Sequence, residues 1–409
     1  MNYEHIILSN FPSAIASLSA MNEKGEDITQ REFRYTGFIH PKDYSVLLDN
    51  SIEKLFISLL LYKEVYLSDR DFLKIIKIIG VQNSIVLLER KIIKIIPRHQ
   101  DPHVIVHRST NPLITKTWHE IEPLMYLGGL RELDNNYKKF SVNESHKAKI
   151  VQYFENAHVS LNDCDDAIFL KNIAILKQEE QFNFSNLDYR STFRALRLYE
   201  VIESYLLQDK HDLSNSLVDD YGKNYLESKF FINDNNLGGG ARKLNLFVDI
   251  STQKRIPNFY NMYKKGSLEM SQFLDLRETF NSKLFRTWFT DPTNTKEDIY
   301  YELMKNHSIN IKFNLIKWLV PTIIGVLNTP LGVVASSAEN FFISKLLQGW
   351  NPNLFLDDIL SKKLNTLENK FELENQREKM LQRYKNIDRN SPCPCQSGKK
   401  FKKCHGVSM

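Results

Sequence analysis

The chain has 409 residues, of which 25% are charged and 42% apolar, with 54 Lys and Arg against 49 Asp and Glu. These are the proportions of a globular protein, long enough for two or three domains at about 150 residues each. From residue 388 onward there are five basic side chains and one acid. The body before it is therefore close to neutral, which argues against broad binding to nucleic acid through many neutralised phosphates.

The first 50 residues read as irregular, with turn signals around Asn22 and Gly25 and at Pro41. Glu4 precedes the first apolar stretch, and Asn10 and Pro12 interrupt it, so the start does not read as a secretory signal. Helices are expected from Ser51 to about Glu89, with Ser68 and Asp69 as an N-cap, Phe72, Ile75, Ile76 and Ile79 at helical spacing, and Gly80 as a stop. Residues 91–96 and 104–106 are β-branched runs flanking Pro97 and Pro102, and they predict short strands. A helical region follows over 143–209, where Ala195, Leu198, Val201, Ile202, Tyr205 and Leu206 form an apolar stripe.

Gly238, Gly239 and Gly240 mark a loop, and residues 244–250 read as one further strand. Helices are expected over 257–265, 268–289 and 296–307. Residues 318–338 carry no charge, and Pro321, Gly325, Asn328, Pro330 and Gly332 punctuate them. The segment is long enough to span a bilayer of about 30 Å, but the breaks favour a buried hairpin. Residues 356–387 form a charged amphipathic helix with Leu364, Leu367 and Phe371 on one seam and Met380, Leu381 and Tyr384 on another.

The expected class is mainly α, with a small α+β portion near residues 85–110 and 240–250 and a C-terminal zinc module. The expected divisions are a mixed region 1–142, a helical region 143–237, a helical region 238–355 containing the uncharged segment, an amphipathic linker 356–390 and the metal module 391–409.

Three of the four cysteines lie in the tail, which excludes a disulfide framework. Pro394 holds Cys393 extended, and side chains two apart on an extended chain share a face, so Cys393 and Cys395 reach one metal. Ser397 and Gly398 turn the chain back, and Cys404 and His405 complete four ligands. Three thiolates and an imidazole make a closed tetrahedral set that favours zinc in a structural role. A tail of roughly twenty residues cannot build its own core, so the metal supplies the folding energy, on the order of 10 kcal/mol. Thiolate ligands also require a reducing compartment, which points to the cytosol.

This text resembles the SEC-C motif, the zinc-binding tail of the bacterial translocation ATPase SecA and of several unrelated bacterial proteins. The family pattern is Cys-x-Cys, eight residues, then Cys followed by Cys or His; residues 396–403 are the eight. Pro392, Pro394, Ser397, Gly398, Lys399, Lys400, Phe401, Lys402 and Gly406 also fit, while Gln396 stands where the family has glycine. The resemblance covers about 20 residues. It implies zinc, a bacterial source and docking to a SecB-like chaperone or the ribosome, with Lys399, Lys400, Phe401, Lys402 and Lys403 as contact residues. A solvated charged face is the competing reading of that cluster. The body has no G-x-x-x-x-G-K-[ST] phosphate loop, so it is not a motor of the SecA kind.

His99, His103 and His107 recur every four residues, but Pro102 and the β-branched run favour a strand with scattered surface histidines over a metal cluster. Arg98 with His103 and Arg34 with His40 match the loose Arg-x(4–6)-His spacing of HEPN ribonucleases. Pro102 and Gly37 spoil the helix that such a site needs. No catalytic signature emerges. The sequence favours a cytosolic bacterial binding or adaptor protein with a zinc-stabilised docking tail, as a monomer or oligomer. The competing reading is an anti-phage or toxin-type effector, acting at the membrane through residues 315–337 or as a nuclease.

Overall fold

The computed structural model describes residues 2–9, 11, 41–96, 100–105, 113–118, 189–211, 213–217, 239–304, 350–383, 387–394, 397–404 and 406, with a few isolated positions between 145 and 178. The uncharged segment 318–338 and residues Arg34, His40, Arg98, His99 and His107 lie outside the described residues.

The architecture is mostly helical around a small parallel sheet. In chain order the first elements are β1 (Asn2–Leu8), α1 (Pro41–Leu61), β2 (Glu64–Ser68), α2 (Asp69–Ile79), α3 (Val81–Glu89) and β3 (Ile93–Ile96). After a hairpin of β4 (Gln100–Ile105) and β5 (Leu113–Trp118) come α4 (Tyr189–Lys210) and β6 (Leu213–Leu217). The order across the sheet is β3-β2-β1-β6, with every pair parallel. The antiparallel hairpin is separate and places His103 opposite Thr115.

Parallel strands need crossovers and are covered on both faces. Ile6 and Leu8 of β1 and Val65 and Leu67 of β2 face the main core, while Ile7, Ile96, Leu207 of α4 and Leu213 form a second cluster. That second face also carries polar groups. One carboxylate oxygen of Glu64 lies 2.6 Å from the Lys94 ammonium and 3.5 Å from His5 Nε2, and it accepts a hydrogen bond of 3.1 Å from the Tyr66 hydroxyl. Three adjacent strands are thereby cross-linked through their side chains.

Strand β3 falls in the run 91–96 read as a strand, while the other three strands of the sheet lie where the sequence predicted other things. Strand β1 and the start of α1 fall in the stretch read as irregular. Strand β2 interrupts the stretch read as all helix, because Val65 and Leu67 alternate with half-buried Glu64 and Tyr66 in period 2. Strand β6 lies in the region read as helical.

Ser68 caps α2 as expected, its hydroxyl accepting from the Asp71 N–H at 3.1 Å. Gly80 separates α2 from α3 at φ +87°, a backbone conformation that favours glycine.

Downstream lie α5 (Gly239–Gln253), α6 (Phe259–Lys265), α7 (Met270–Arg277), α8 (Phe280–Thr290) and α9 (Lys296–Met304). Helix α5 corrects two expectations: Gly239 and Gly240 open its first turn, and residues 244–250 are helix rather than strand. Leu244, Phe247 and Ile250 are all buried, the spacing of one helix face, whereas a strand would have turned Phe247 away from the other two. The small α+β part near residues 240–250 is therefore absent. The region read as one helix over 268–289 is two, divided where Thr279 caps α8 by accepting from the Ser282 N–H at 3.2 Å.

A single hydrophobic cluster takes in Ile6, Leu217, Phe247 and Leu364, so packing crosses residues 142, 237 and 355. A half-buried carboxylate ties two of these helices together. Glu53 of α1 accepts from the first N–H groups of α6, Phe259 at 3.2 Å and Tyr260 at 2.7 Å. Its carboxylate stands where a helix N-terminus favours negative charge. Burial nevertheless raises its pKa from an ordinary 4.5 to about 7, with those two N–H bonds opposing the rise.

An acid whose folded pKa is raised contributes stability that is present below its unfolded pKa and is lost as pH rises through the folded value. Chemical denaturation of the native protein and Glu53→Gln, compared at pH 5 and pH 8, should show the variant gaining on the native protein by up to about 3 kcal/mol. A difference between the two that stays constant with pH would count against this reading of Glu53.

The last part of the body is a π-helical segment (Leu354–Ser361) running directly into α10 (Lys362–Arg383). Phe355, Leu356, Leu360 and Leu364 are fully buried, and Lys254, just past the end of α5, grips Asp357 at 2.8 Å. The Phe371 ring edge would lie 3.8 Å from a Cβ added at Gly266, and Lys265 meets Glu368 at 3.5 Å. Beyond Phe371 the helix has left the body: Glu372, Leu373, Glu374, Gln376, Arg377, Glu378 and Lys379 are all exposed. At 1.5 Å per residue this outer half projects about 18 Å. Among the described residues no helix is long and apolar enough to cross a membrane.

Candidate metal centre

The tail after α10 is built by local hydrogen bonds. The Asp388 carboxylate accepts from the Asn390 N–H at 3.0 Å, and its main-chain carbonyl accepts from the Ser391 N–H at 3.0 Å and the Ser391 hydroxyl at 2.7 Å. This is the behaviour of aspartate at turns. Pro392 and Lys400 then bridge antiparallel. The Cys393 N–H donates to Lys399 O at 2.8 Å, and the Phe401 N–H donates to Ser391 O at 2.8 Å. The two arms are joined through Gly398 at φ +71°, as the turn signal predicted.

A 3-10 turn (Phe401–Lys403) follows, and the Cys404 N–H closes it on Phe401 O at 3.0 Å. Cys393 therefore sits on the outgoing arm, 4% exposed, and Cys404 at the end of the returning turn, half-buried. The Ser397 hydroxyl lies 3.4 Å from Cys404 Sγ. Gly406 is required by close approach, since a Cβ there would lie 2.8 Å from Phe401 O. Cys395 and His405, the other two expected ligands, lie outside the described residues.

Within this tail the buried described residues are Cys393, Phe401 and Gly406. One aromatic ring and one thiol are far too little apolar area to hold a hairpin in water. Such a scaffold fits a metal: its donors are soft thiolates, and its missing core is what coordination replaces. Lys399, Lys400, Lys402 and Lys403 are all exposed. Phe401, grouped with them by resemblance, is 3% exposed and packs inside the module under Gly406. Its ring is not on offer to a partner in this arrangement.

Residues 389–406 match the SEC-C motif family. These residues are a SEC-C motif. The motif is generally a zinc-binding module. The chain is also 27% identical over 240 residues to the protein translocase subunit SecA of Campylobacter jejuni subsp. jejuni serotype O:2, covering 51% of this chain and 25% of that protein. The SecA subunits of another C. jejuni strain and of C. jejuni subsp. doylei match at the same 27% identity over 231 and 240 residues. The chain thus spans about a quarter of the length of the curated relatives it matches. At this identity and coverage the alignments do not place the body in a family. No solved structure matches.

Two groups of importance were not read from the sequence as more than context. The sequence marks Ser397 as a turn residue and carries no signal for the approach of its hydroxyl to the Cys404 sulfur. Glu53 gave no local signal, because its partners are more than 200 residues away.

Proposed function

We propose that the SEC-C motif is a zinc-stabilised docking module at the end of a helical arm, and that the chain is a cytosolic bacterial binding or adaptor protein. The ligands are Cys393, Cys395, Cys404 and His405, and zinc supplies the cross-link that the hairpin lacks. The observation that carries this reading is the division of the module: Cys393 and Phe401 turn inward while all four lysines of the ligand loop stand in solvent. A cluster of exposed ammonium groups on a rigid turn suits an acidic protein surface, with electrostatics setting the encounter rate and the salt dependence. The outer half of α10 keeps that cluster clear of the body. By likeness to the SecA tail, the partner belongs to the protein-translocation machinery, with a SecB-like chaperone or the ribosome as the two candidates.

Changing Lys399, Lys400, Lys402 and Lys403 together to Glu leaves every ligand in place and inverts the local charge. Binding is measured with purified SecB by calorimetry and with ribosomes by co-sedimentation. We expect the native chain to bind one of them in a salt-sensitive manner, and the reversed chain to lose that binding while keeping its zinc. Equal binding by both proteins, or no binding by the native chain to either, would remove this reading.

A further inference from the structure

We infer that the amino-terminal rim of the parallel sheet is a docking surface for a short acidic segment of a partner protein. The inference concerns the body alone and stands apart from the zinc reading.

The rim is assembled from the turns that lead into neighbouring strands. Lys63 joins α1 to β2, and its N–H donates to Glu4 O of β1 at 2.8 Å. Arg90 and Lys91 join α3 to β3, whose Ile93 is the partner of Val65 in β2. From beneath, Arg277 donates to Lys63 O at 2.9 Å, and Arg286 donates to Arg277 O at 2.9 Å. Glu278 pairs with Arg277 and lies 3.3 Å from Lys283, while Glu4 lies 3.9 Å from Lys63. The group thus holds six cations and two acids. Lys63, Arg90, Lys91 and Lys283 are exposed, and among the described residues no acid pairs with Arg90 or Lys91. Burial lowers the pKa of both buried guanidinium groups, and a like charge adds to the effect: Arg90 on Arg277, and Arg277 on Arg286.

Lys91 supplies an independent sign. It follows α3 at φ +55°. Its N–H donates to Leu88 O at 2.9 Å and the Ile92 N–H donates to Leu87 O at 2.9 Å, the helix ending in which glycine usually takes this position. A side chain there is strained. The helix dipole favours a cation at this end, but the neighbouring Arg90 already provides one. A partner for its ammonium accounts for keeping lysine in a strained position.

An excess of exposed cations is complementary to a polyanion. The body as a whole is close to neutral, so away from the rim its net charge is negative and repels a long phosphate backbone running past it. A lipid surface is held by apolar side chains beside the cations. The exposed large apolar side chains among the described residues are Val46 and Leu47 at the far end of α1, Tyr300, Tyr301 and Leu373, none of them from the turns or from α3, α7 or α8. A short run of carboxylates, confined to the rim, fits both facts.

The test is fluorescence anisotropy of a labelled octaglutamate peptide with the full chain, in which Lys399, Lys400, Lys402 and Lys403 are changed to Ala so that the tail does not compete. We expect binding at low ionic strength that weakens at about 0.15 M salt. Lys63→Ala, Arg90→Ala and Lys283→Ala should each weaken it about two- to fivefold, the range for exposed ion pairs. Lys91→Gly should weaken it likewise and yet raise the urea midpoint of the fold, since glycine relieves the backbone. A midpoint that falls in Lys91→Gly, or a Lys91→Gly chain that binds like its parent, would overturn the inference. So would a parent chain that leaves octaglutamate unbound, or one that binds duplex DNA more tightly than the peptide.

Discussion

Replacing Arg277 with alanine is expected to destabilise the body by about 3–5 kcal/mol, the range for removing one partner from a buried charged network. Helix α1 ends at Leu61, and its last carbonyls have no intrahelical partner. Arg277 holds the end of α1 and the two residues after it: Nε donates to Leu59 O at 2.6 Å, and one terminal nitrogen donates to Tyr62 O at 3.1 Å and Lys63 O at 2.9 Å. Its other terminal nitrogen pairs with Glu278.

Arg286 extends the arrangement, donating to Leu60 O at 3.2 Å and to Arg277 O at 2.9 Å. Two guanidinium groups, 4% and 6% exposed, therefore sit at the negative end of the α1 dipole. Burial opposes ionisation of Glu278, but the charges of Arg277, Lys283 and Arg286 outweigh it and hold its pKa below the usual carboxylate range.

Alanine at 277 removes the side-chain donor from two buried carbonyls, Leu59 O and Tyr62 O, and from the part-buried Lys63 O, and a buried carbonyl left unsatisfied costs about 1–3 kcal/mol before the structure relaxes. Lysine there is expected to recover only part of the loss, since one ammonium cannot reproduce the planar spread of a guanidinium. Urea denaturation followed by far-UV circular dichroism measures this directly. A midpoint for Arg277→Ala matching that of the native protein would show that α1 does not depend on these bonds.

The contrast between this network and the tail explains what the sequence made legible. Ser68, Gly80 and the helices over 259–304 were readable because their signals are local: a hydroxyl three residues before the N–H it caps, or a glycine at the required φ. Strand β1 was missed because Ile6, Ile7 and Leu8 make a short apolar run cut off by Asn10 and Pro12, and its partners lie in residues 64–68 and 213–217. Parallel pairing leaves no turn signature between partners. Pro41 was read as a turn, but proline is equally at home in the first position of a helix, which is where α1 places it.

The error over residues 244–250 was one of period. Alternation in Leu244, Leu246, Val248 and Ile250 looked like a strand, and buried Phe247 shows that the helical spacing governs. Arg277 and Arg286 carry no pattern at all, since the carbonyls they meet at the end of α1 are over 200 residues earlier in the chain. The metal motif is the opposite case. Its expected ligands fall within thirteen residues, so spacing alone nearly fixes the geometry, and the turn at Gly398 is where the sequence put it.

The second large effect concerns the tail itself. On the proposed ligand set, Cys393→Ser or Cys404→Ser removes one of four ligands, and with it most of a binding free energy on the order of 10 kcal/mol that doubles as the folding energy of the module. The body does not share this dependence. Its core of sheet and helices is continuous and apolar, and Glu372 to Lys379 of the connecting arm, Asn375 apart, stand exposed. Loss of the metal should therefore unfold residues 389–406 and leave the rest intact.

Elemental analysis of the purified native chain and of each variant, with a far-UV spectrum of the same samples, is the most direct measurement. One zinc per native chain, none in Cys393→Ser or Cys404→Ser, and an unchanged helical spectrum throughout is the predicted result. A native chain without zinc, a variant that keeps its full zinc, or a collapse of the helical signal on loss of one cysteine would contradict it.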